Sequence, residues 1–405
     1  MKFEEHGFLP VLLGGDISNY SMARSFYEAY RVKSIVAGKH PIYPTTDTAL
    51  IQGYYDENIE NGAVFIRMMA EIDRQYPGSK KIILGTNDNY VRLAIENREA
   101  LSGNFFVPYI GQELYNRLVV KEEFYKLCAE YGLDHPRTFI FACRKGANTD
   151  PDLPFPFPVF VKPSDTVLYS KYFFPGKKKG YLLTDRQELQ RVLTAVCDSG
   201  YPGTLIIQEY IPGDDTAMRV LTCYSDRSGK VKGAALGHIL LQDHAPMLVG
   251  NYTAILSEDD KALCERFIPF LEALQVVGIT HFDIKYDVRD GKYKVLELNI
   301  RQGRNNYYTT GSGLNLAVCL VRDYIERQEL PLTFADKLCV CAIVPRCLVK
   351  KYVRDPELLA KIRQARWIRP LLMPGDINFS RLKKHFLNDL KQIVNYRKYY
   401  HPDKG

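Results

Sequence analysis

Glu297-Leu298-Asn299-Ile300-Arg301 is the segment of this chain best equipped for chemistry, and Asp283 stands fourteen residues before Glu297. Side chains alternate faces along an extended strand, so Glu297, Asn299 and Arg301 share one face and Leu296, Leu298 and Ile300 the other. A carboxylate next to a neutral amide oxygen suits a hard, oxygen-seeking ion such as Mg²⁺. The adjacent guanidinium suits phosphate oxygens that bridge to that ion. The preceding run, Thr280 to Tyr286, repeats the alternation and offers Asp283 as a third ligand. The plain alternative is a two-sided surface hairpin with solvated charges, which has no need of Asn299 and Arg301.

The turn between the two strands must position these groups. Val288-Arg289-Asp290-Gly291-Lys292 contains an Asp-Gly pair, a strong hairpin signal. A two-residue Asp-Gly loop would set Asp283 opposite Leu298, among leucines. A three-residue loop, Arg289 to Gly291 with Gly291 left-handed, sets Asp283 opposite Glu297, with Phe282 and Ile284 facing Leu298 and Leu296. Both the ion site and the core require that register, so the three-residue loop is expected.

Upstream, residues 1 to about 120 read as alternating strands and helices. Pro10 to Gly15 is a strand running into glycines, Asn19 to Tyr30 has helical spacing, and Lys33 to Gly38 and Lys81 to Gly85 are further buried strands. Thr86-Asn87-Asp88 caps a helix beginning near Tyr90, and Phe105 to Pro108 is another strand candidate. This order implies a small parallel α/β sheet with ligand contacts at its C-terminal strand ends. Gly14-Gly15-Asp16 lacks the dinucleotide spacing. Lys121 to Gly132 is a helix, and proline-rich residues 147 to 158 read as a linker. Pro158 to Pro163 is a strand ending in Lys162, Gln187 to Ser199 a helix, and Thr204 to Gly213 a strand leaving through a Pro-Gly turn. Ala217 to Tyr224 and Val231 to Leu241 are antiparallel strands, and Asp259 to Leu274 is a helix leading into the Asp283 hairpin.

Composition excludes several classes. The chain has 405 residues, 46% hydrophobic and 25% charged, enough for two or three packed units of ordinary globular make-up. No apolar run approaches the roughly 20 residues that span a bilayer. The start, Met1 to His6, carries early acids and makes a poor secretion signal. Nine scattered cysteines without a Cys-x-x-Cys pair read as buried, reduced thiols, so a cytoplasmic location is expected. The net charge of +7 is uneven, with fifteen Lys or Arg against five acids from Arg346 onward. That basic C-terminal region could attract a nucleotide-linked substrate or, as a peripheral contact, an anionic membrane; a solvated helical face is the plain reading. No aromatic-basic RNA motif accompanies it, so nucleic acid is not an expected partner.

In this order the motifs of residues 121 to 313 resemble the ATP-grasp carboxylate–amine ligases. The opening from Pro10 to Tyr30, with Gly14-Gly15-Asp16 and Ser21 to Phe26, looks like that of the D-aspartate ligases. The resemblance implies a mixed α/β and α+β architecture. A Rossmann-like pre-ATP-grasp domain (1–120) would precede an ATP-grasp fold with subdomains at 121–203 and 204–330. A basic extension (331–405) would follow. It implies ATP and Mg²⁺, as two ions, and places Lys121 and Lys162 on the nucleotide phosphates, with Lys179 joining them from the loop that covers these. Gln208, Glu209, Tyr210 and Ile211 would form the hinge that reads the adenine edge, and Asp214 or Asp215 would hold the ribose. Asp283, Glu297 and Asn299 would bind metal, and Arg301 with Lys162 would stabilise the phosphoryl group in transfer. Arg304, Asn305 and Asn306, then Arg219 and His281, are candidates for the carboxylate substrate.

Two departures stand out: the loop from Asp165 to Lys179 is aromatic and lysine-rich where relatives are glycine-rich, and His281 stands where some relatives carry arginine. The activity implied is amide formation through an acyl phosphate, joining a small carboxylic acid to an amine acceptor, with D-aspartate and a nucleotide-linked peptidoglycan precursor as the leading pair. A ligase making another peptide or amino-acid conjugate, and a nucleotide-binding sensor without catalysis, are the alternatives.

Overall fold

The computed structural model describes residues 6–245 and 248–400, so the reading of the first five residues lies outside it. Three sheets organise the chain. The first contains β1 (Phe8–Leu13), β2 (Ser34–Gly38), β3 (Ile51–Tyr55), β4 (Lys80–Gly85) and β5 (Phe105–Phe106). All pair in parallel, in the order β3-β2-β1-β4-β5. Every residue of β1 is buried, as a central parallel strand covered on both faces requires. The chain leaves β1 through Gly14 at φ +126, where a Cβ would sit 2.5 Å from Thr86 Oγ1. Asp16 then caps the helix Ile17–Tyr30 in a reciprocal box with Asn19.

The second sheet holds β6 (Thr138–Ala142), β7 (Val159–Pro163), β8 (Tyr181–Leu183) and β9 (Thr204–Glu209), in the order β6-β9-β7-β8. Residues 147–158, expected as a linker, instead form the loop between β6 and β7 of this one sheet. Its Phe155 is buried in the sheet's own core, which a free linker would not provide.

The third and largest sheet contains β10 (Met218–Ser225), β11 (Val231–Gln242), β12 (Tyr252–Glu258), β13 (Gly278–Asp287), β14 (Lys292–Asn299), β15 (Thr333–Phe334), β16 (Cys339–Ala342) and β17 (Arg366–Ile368). Its path is β14-β13-β10-β11-β12-β16-β17, with β15 on the side of β11. Residues beyond 331 thus lengthen this sheet, and the helix Phe379–Tyr399 follows them. The helix expected from Asp259 to Leu274 is broken into Lys261–Glu265 and Ile268–Ala273. Pro269 explains the break: without an N–H it is tolerated only in a first helical turn, where it sits. Eight of the nine cysteines are buried and all are free. No helix among the described residues is long and apolar enough to cross a membrane.

Candidate active site

The β13–β14 hairpin places Asp283 directly opposite Glu297, Phe282 opposite Leu298 and His281 opposite Asn299. The route to that register differs from the expected one. Asp287 pairs with Lys292, so the turn has four residues, 288 to 291, with Gly291 at φ +71. The pairing then slips between Asp283 and Ile284, because Leu296 is an extra residue in β14. Val295, not Leu296, therefore faces Ile284 and fills the core. The bulge also gives the Leu296 carbonyl new partners. Tyr125 Oη donates to it at 2.5 Å and Lys162 Nζ at 3.1 Å, while Lys162 also donates to Tyr125 Oη at 3.0 Å. The small sheet and the large one are thereby joined at the lysine that ends β7.

Around this seam lies a chain of charged groups. Glu297 Oε1 is 2.8 Å from Lys121 Nζ, and the glutamate side chain is 40% exposed. Burial alone would raise the Glu297 carboxyl, but the Lys121 and Lys162 ammonium groups hold it down at about 2. Burial, with the Lys121 charge beside it, pushes Lys162 down to about 8. Asp283 accepts from Tyr252 Oη at 2.6 Å and from Asn299 Nδ2 at 3.2 Å. Arg301 Nη2 donates to Asn299 Oδ1 at 3.1 Å, and its Nε donates to Asp88 Oδ1 at 2.7 Å. Asp88 begins the helix Asp88–Glu96 at the C-terminal end of β4, where a parallel sheet presents its ligand contacts. Lys121, Glu297, Asn299, Asp88, Arg92 and Asp165 line a cavity of about 230 Å³.

Asp283, Glu297 and Asn299 are thus adjacent hard-oxygen side chains on one strand pair, a donor set that fits Mg²⁺. His281 sits one step along the same face, its Nε2 3.5 Å from Asp283 Oδ1 and its Nδ1 3.2 Å from Thr222 Oγ1. The loop after β14 crosses this ring at Gly303, where a Cβ would come within 2.2 Å of His281 Cε1.

Several other expected residues stand elsewhere. Arg219 pairs in register with Ile284, one step from the Val220–Asp283 pair, so it faces away from Asp283. There it ion-pairs with Glu258 at 2.5 Å and donates to the Thr216 carbonyl. On that face its guanidinium is paired within the sheet, away from the Asp283 side. Glu209 does not offer a free acid to an adenine: its carboxylate accepts from the Arg137 N and Nε atoms and lies 3.4 Å from Lys294 Nζ. Of the two acids expected at the ribose, Asp215 is buried, accepting from Gln242 N and Nε2 and facing His244, and Asp214 caps Thr216 N. Asn305 and Asn306 are buried, donating to Cys341 O and Met22 Sδ, and so anchor their loop. Arg304 is only partly buried, and its carbonyl accepts from Ser18 Oγ.

Of the hinge residues, Gln208 is buried with its amide donating to Thr138 Oγ1, Ile211 is buried, and Tyr210 lies under Lys285. In the 165–179 loop, Lys177 spends its ammonium on the carbonyls of Tyr169, Ser170 and Tyr172, while Lys179 is exposed. Asp88, Tyr125, Tyr252 and Lys285 were not found by motif. Burial pushes Lys285 down to about 8 against the pull of Asp215.

No protein-family model matches the chain. The D-aspartate ligase of Enterococcus faecium is 34% identical over 420 aligned positions, covering 100% of this chain and 99% of that protein. Among solved structures, an L-amino acid ligase from Bacillus licheniformis superposes with a TM-score of 0.55 at 13% identity, covering 78% of this chain and 74% of its own. An ADP complex of N5-carboxyaminoimidazole synthetase from Staphylococcus aureus gives 0.58 at 12% identity over 84% and 83% of the two chains. These two likenesses show the ATP-grasp fold, and the full-length relation shows more. The chain belongs to the D-aspartate ligase family of ATP-grasp carboxylate–amine ligases, and its activity is the ATP-dependent joining of a carboxylate to an amine.

Proposed function

We propose that the substrate acid is D-aspartate and that the acceptor amine belongs to a nucleotide-linked peptidoglycan precursor in the cytoplasm. The observation that carries this reading is the full-length relation to a D-aspartate ligase, with the Asp283, Glu297, Asn299 and Arg301 face intact. Asp283, Glu297 and Asn299 would hold two Mg²⁺ ions, which when bound neutralise charge on the β- and γ-phosphates. Lys121 and Lys162 reach the phosphates from two sides of the seam. Arg301, braced by Asp88, steadies the equatorial oxygens of the phosphoryl group. A substrate carboxylate oxygen attacks the γ-phosphorus, the bond to ADP breaks, and an acyl phosphate forms. The acceptor nitrogen then attacks the acyl carbon, inorganic phosphate leaves, and the nitrogen loses a proton. Arg304 and His281 remain the candidates to hold the acid; Lys179 covers the phosphates from its exposed loop.

In this reading residues 1–120 are a Rossmann-like pre-ATP-grasp unit, 121–203 and 204–330 the two ATP-grasp subdomains, and 331–405 a basic extension that also lengthens the large sheet. A phosphate-release screen of D- and L-amino acids, with and without amine acceptors, tests the proposal. D-Aspartate should give the largest acid-dependent release, and Glu297→Gln should lower it on the order of 10²–10³-fold. Release that survives Glu297→Gln would remove the mechanism; a different preferred acid would remove only the substrate.

A further inference from the structure

The helix Phe379–Tyr399 is amphipathic the wrong way round for a helix packed on a core. Its inward side is polar over the first three turns, with Ile393 and Tyr396 packed on the core beyond them. Arg381 is 2% exposed and donates to the carbonyls of Pro44 and Thr46 at 3.0 Å and of Leu371 at 3.2 Å. His385 and Asp389 meet Arg369, and Tyr396 Oη donates to Gln242 O at 2.7 Å. The outward side is apolar: Phe379 is 84% exposed and Phe386 62%, and Leu382, Leu387, Leu390 and Val394 are exposed as well. At 3.6 residues per turn these six fall within an arc of about 140° along a rod roughly 32 Å long. Lys383 and Arg397 lie inside the arc, and Lys391 and Lys398 along its edge, all exposed. Asp389, the helix's single acid, is tied inward to Arg369 at 2.7 Å.

We propose that this face docks on an anionic lipid bilayer, with the helix lying in the headgroup plane. Its apolar stripe would enter the acyl boundary, and its four cations would meet lipid phosphates. Charge decides between the occupants. A second copy joined face to face about a two-fold axis would set Lys383, Lys391, Arg397 and Lys398 against the same cations. An anionic polymer such as nucleic acid would engage the cations and leave the stripe in water. Only a surface both apolar and negative satisfies both halves of the face. None of these residues lines the cavity at Glu297, so the proposal stands or falls apart from the substrate assignment.

Flotation of the full chain with vesicles tests it. The protein should rise with vesicles of phosphatidylglycerol and phosphatidylcholine. Its partition coefficient should fall on the order of tenfold with phosphatidylcholine alone, or in about 0.5 M salt. Phe386→Ser with Leu390→Ser should lower it on the order of tenfold, and so should Lys383→Glu with Lys391→Glu. Thermal melting of each variant should match the parent, since these side chains are exposed. Equal flotation of parent and serine variant, or no flotation with anionic vesicles, would overturn the proposal. So would a dimer in vesicle-free solution that the serine substitutions dissolve, which would assign the face to a second copy.

Discussion

ATP affinity should fall as pH rises through the titration of Lys162. Its ammonium lies half-buried between the two sheets, donates among the described residues to Tyr125 Oη and the Leu296 carbonyl, and sits near a second cation, Lys121. These surroundings push it to about 8 in the free enzyme. A bound polyphosphate favours the charged form and raises that value. The lysine's contribution to binding is therefore complete below the free-state value and lost as pH rises from there through the raised, bound-state value. A group titrating at about 8 is roughly three-quarters protonated at pH 7.5 and about one-tenth protonated at pH 9, so Mg-ATP affinity should drop about eightfold across that interval. Calorimetric titration from pH 7.5 to 10 measures the drop without interference from the acceptor amine. Lys162→Arg keeps its charge throughout and should bind with a nearly flat profile. Lys285, also pushed to about 8, is the competing explanation. A profile that stays steep in Lys162→Arg but flattens in Lys285→Arg would refute the assignment to Lys162.

Three further outcomes are expected. Asp88→Ala removes the carboxylate that braces Arg301 at 2.7 Å and should lower kcat about tenfold with little change in the KM for ATP, as read by steady-state phosphate release. The Asp88 side chain is 53% exposed, so its melting temperature should hardly move. Arg219→Met should cost about 1–2 kcal/mol at neutral pH and leave the KM for the acid unchanged. Glu258 explains its pH dependence: despite burial, His238 and Arg219 hold that carboxyl at about 2, against an ordinary 4.5. A lowered folded-state value stabilises above 4.5 and is lost as pH falls toward 2, so parent and variant melting curves should converge there. Arg381→Ala leaves Asp376 buried beside a missing cation, both side chains being 2% exposed, and should cost about 3 kcal/mol in denaturant unfolding.

The hairpin shows how far the sequence could be read. Alternation of acid, leucine and amide in β14 was enough to bring Asp283 opposite Glu297, because only that register buries Phe282 and Leu298. The turn length was missed because an inserted Leu296 has no mark among neighbouring leucines. Arg219 looked available because strand polarity was known but its face was not. That face is set by pairing to Ile284, and the partner Glu258 lies 39 residues further on. Asp88 and Arg301 are 213 residues apart, a distance at which spacing carries no signal. The four-residue strand Cys339–Ala342 is too short for any periodicity to announce it, yet it carries the large sheet into the basic region. The inverted polarity of Phe379–Tyr399 was legible only as an excess of lysine and arginine until Arg381 and His385 were seen to face inward.

The surplus residue in β14 offers an unusual experimental handle. Below it, Ile284 meets Val295; above it, Asp283 meets Glu297. Excising the codon for Leu296 would close the ladder into an unbroken run without moving either pair out of phase. Most deletions inside a strand scramble everything beyond the cut. This one would take away a single backbone oxygen, the one to which both Tyr125 and Lys162 are moored, and leave the acids where they stand.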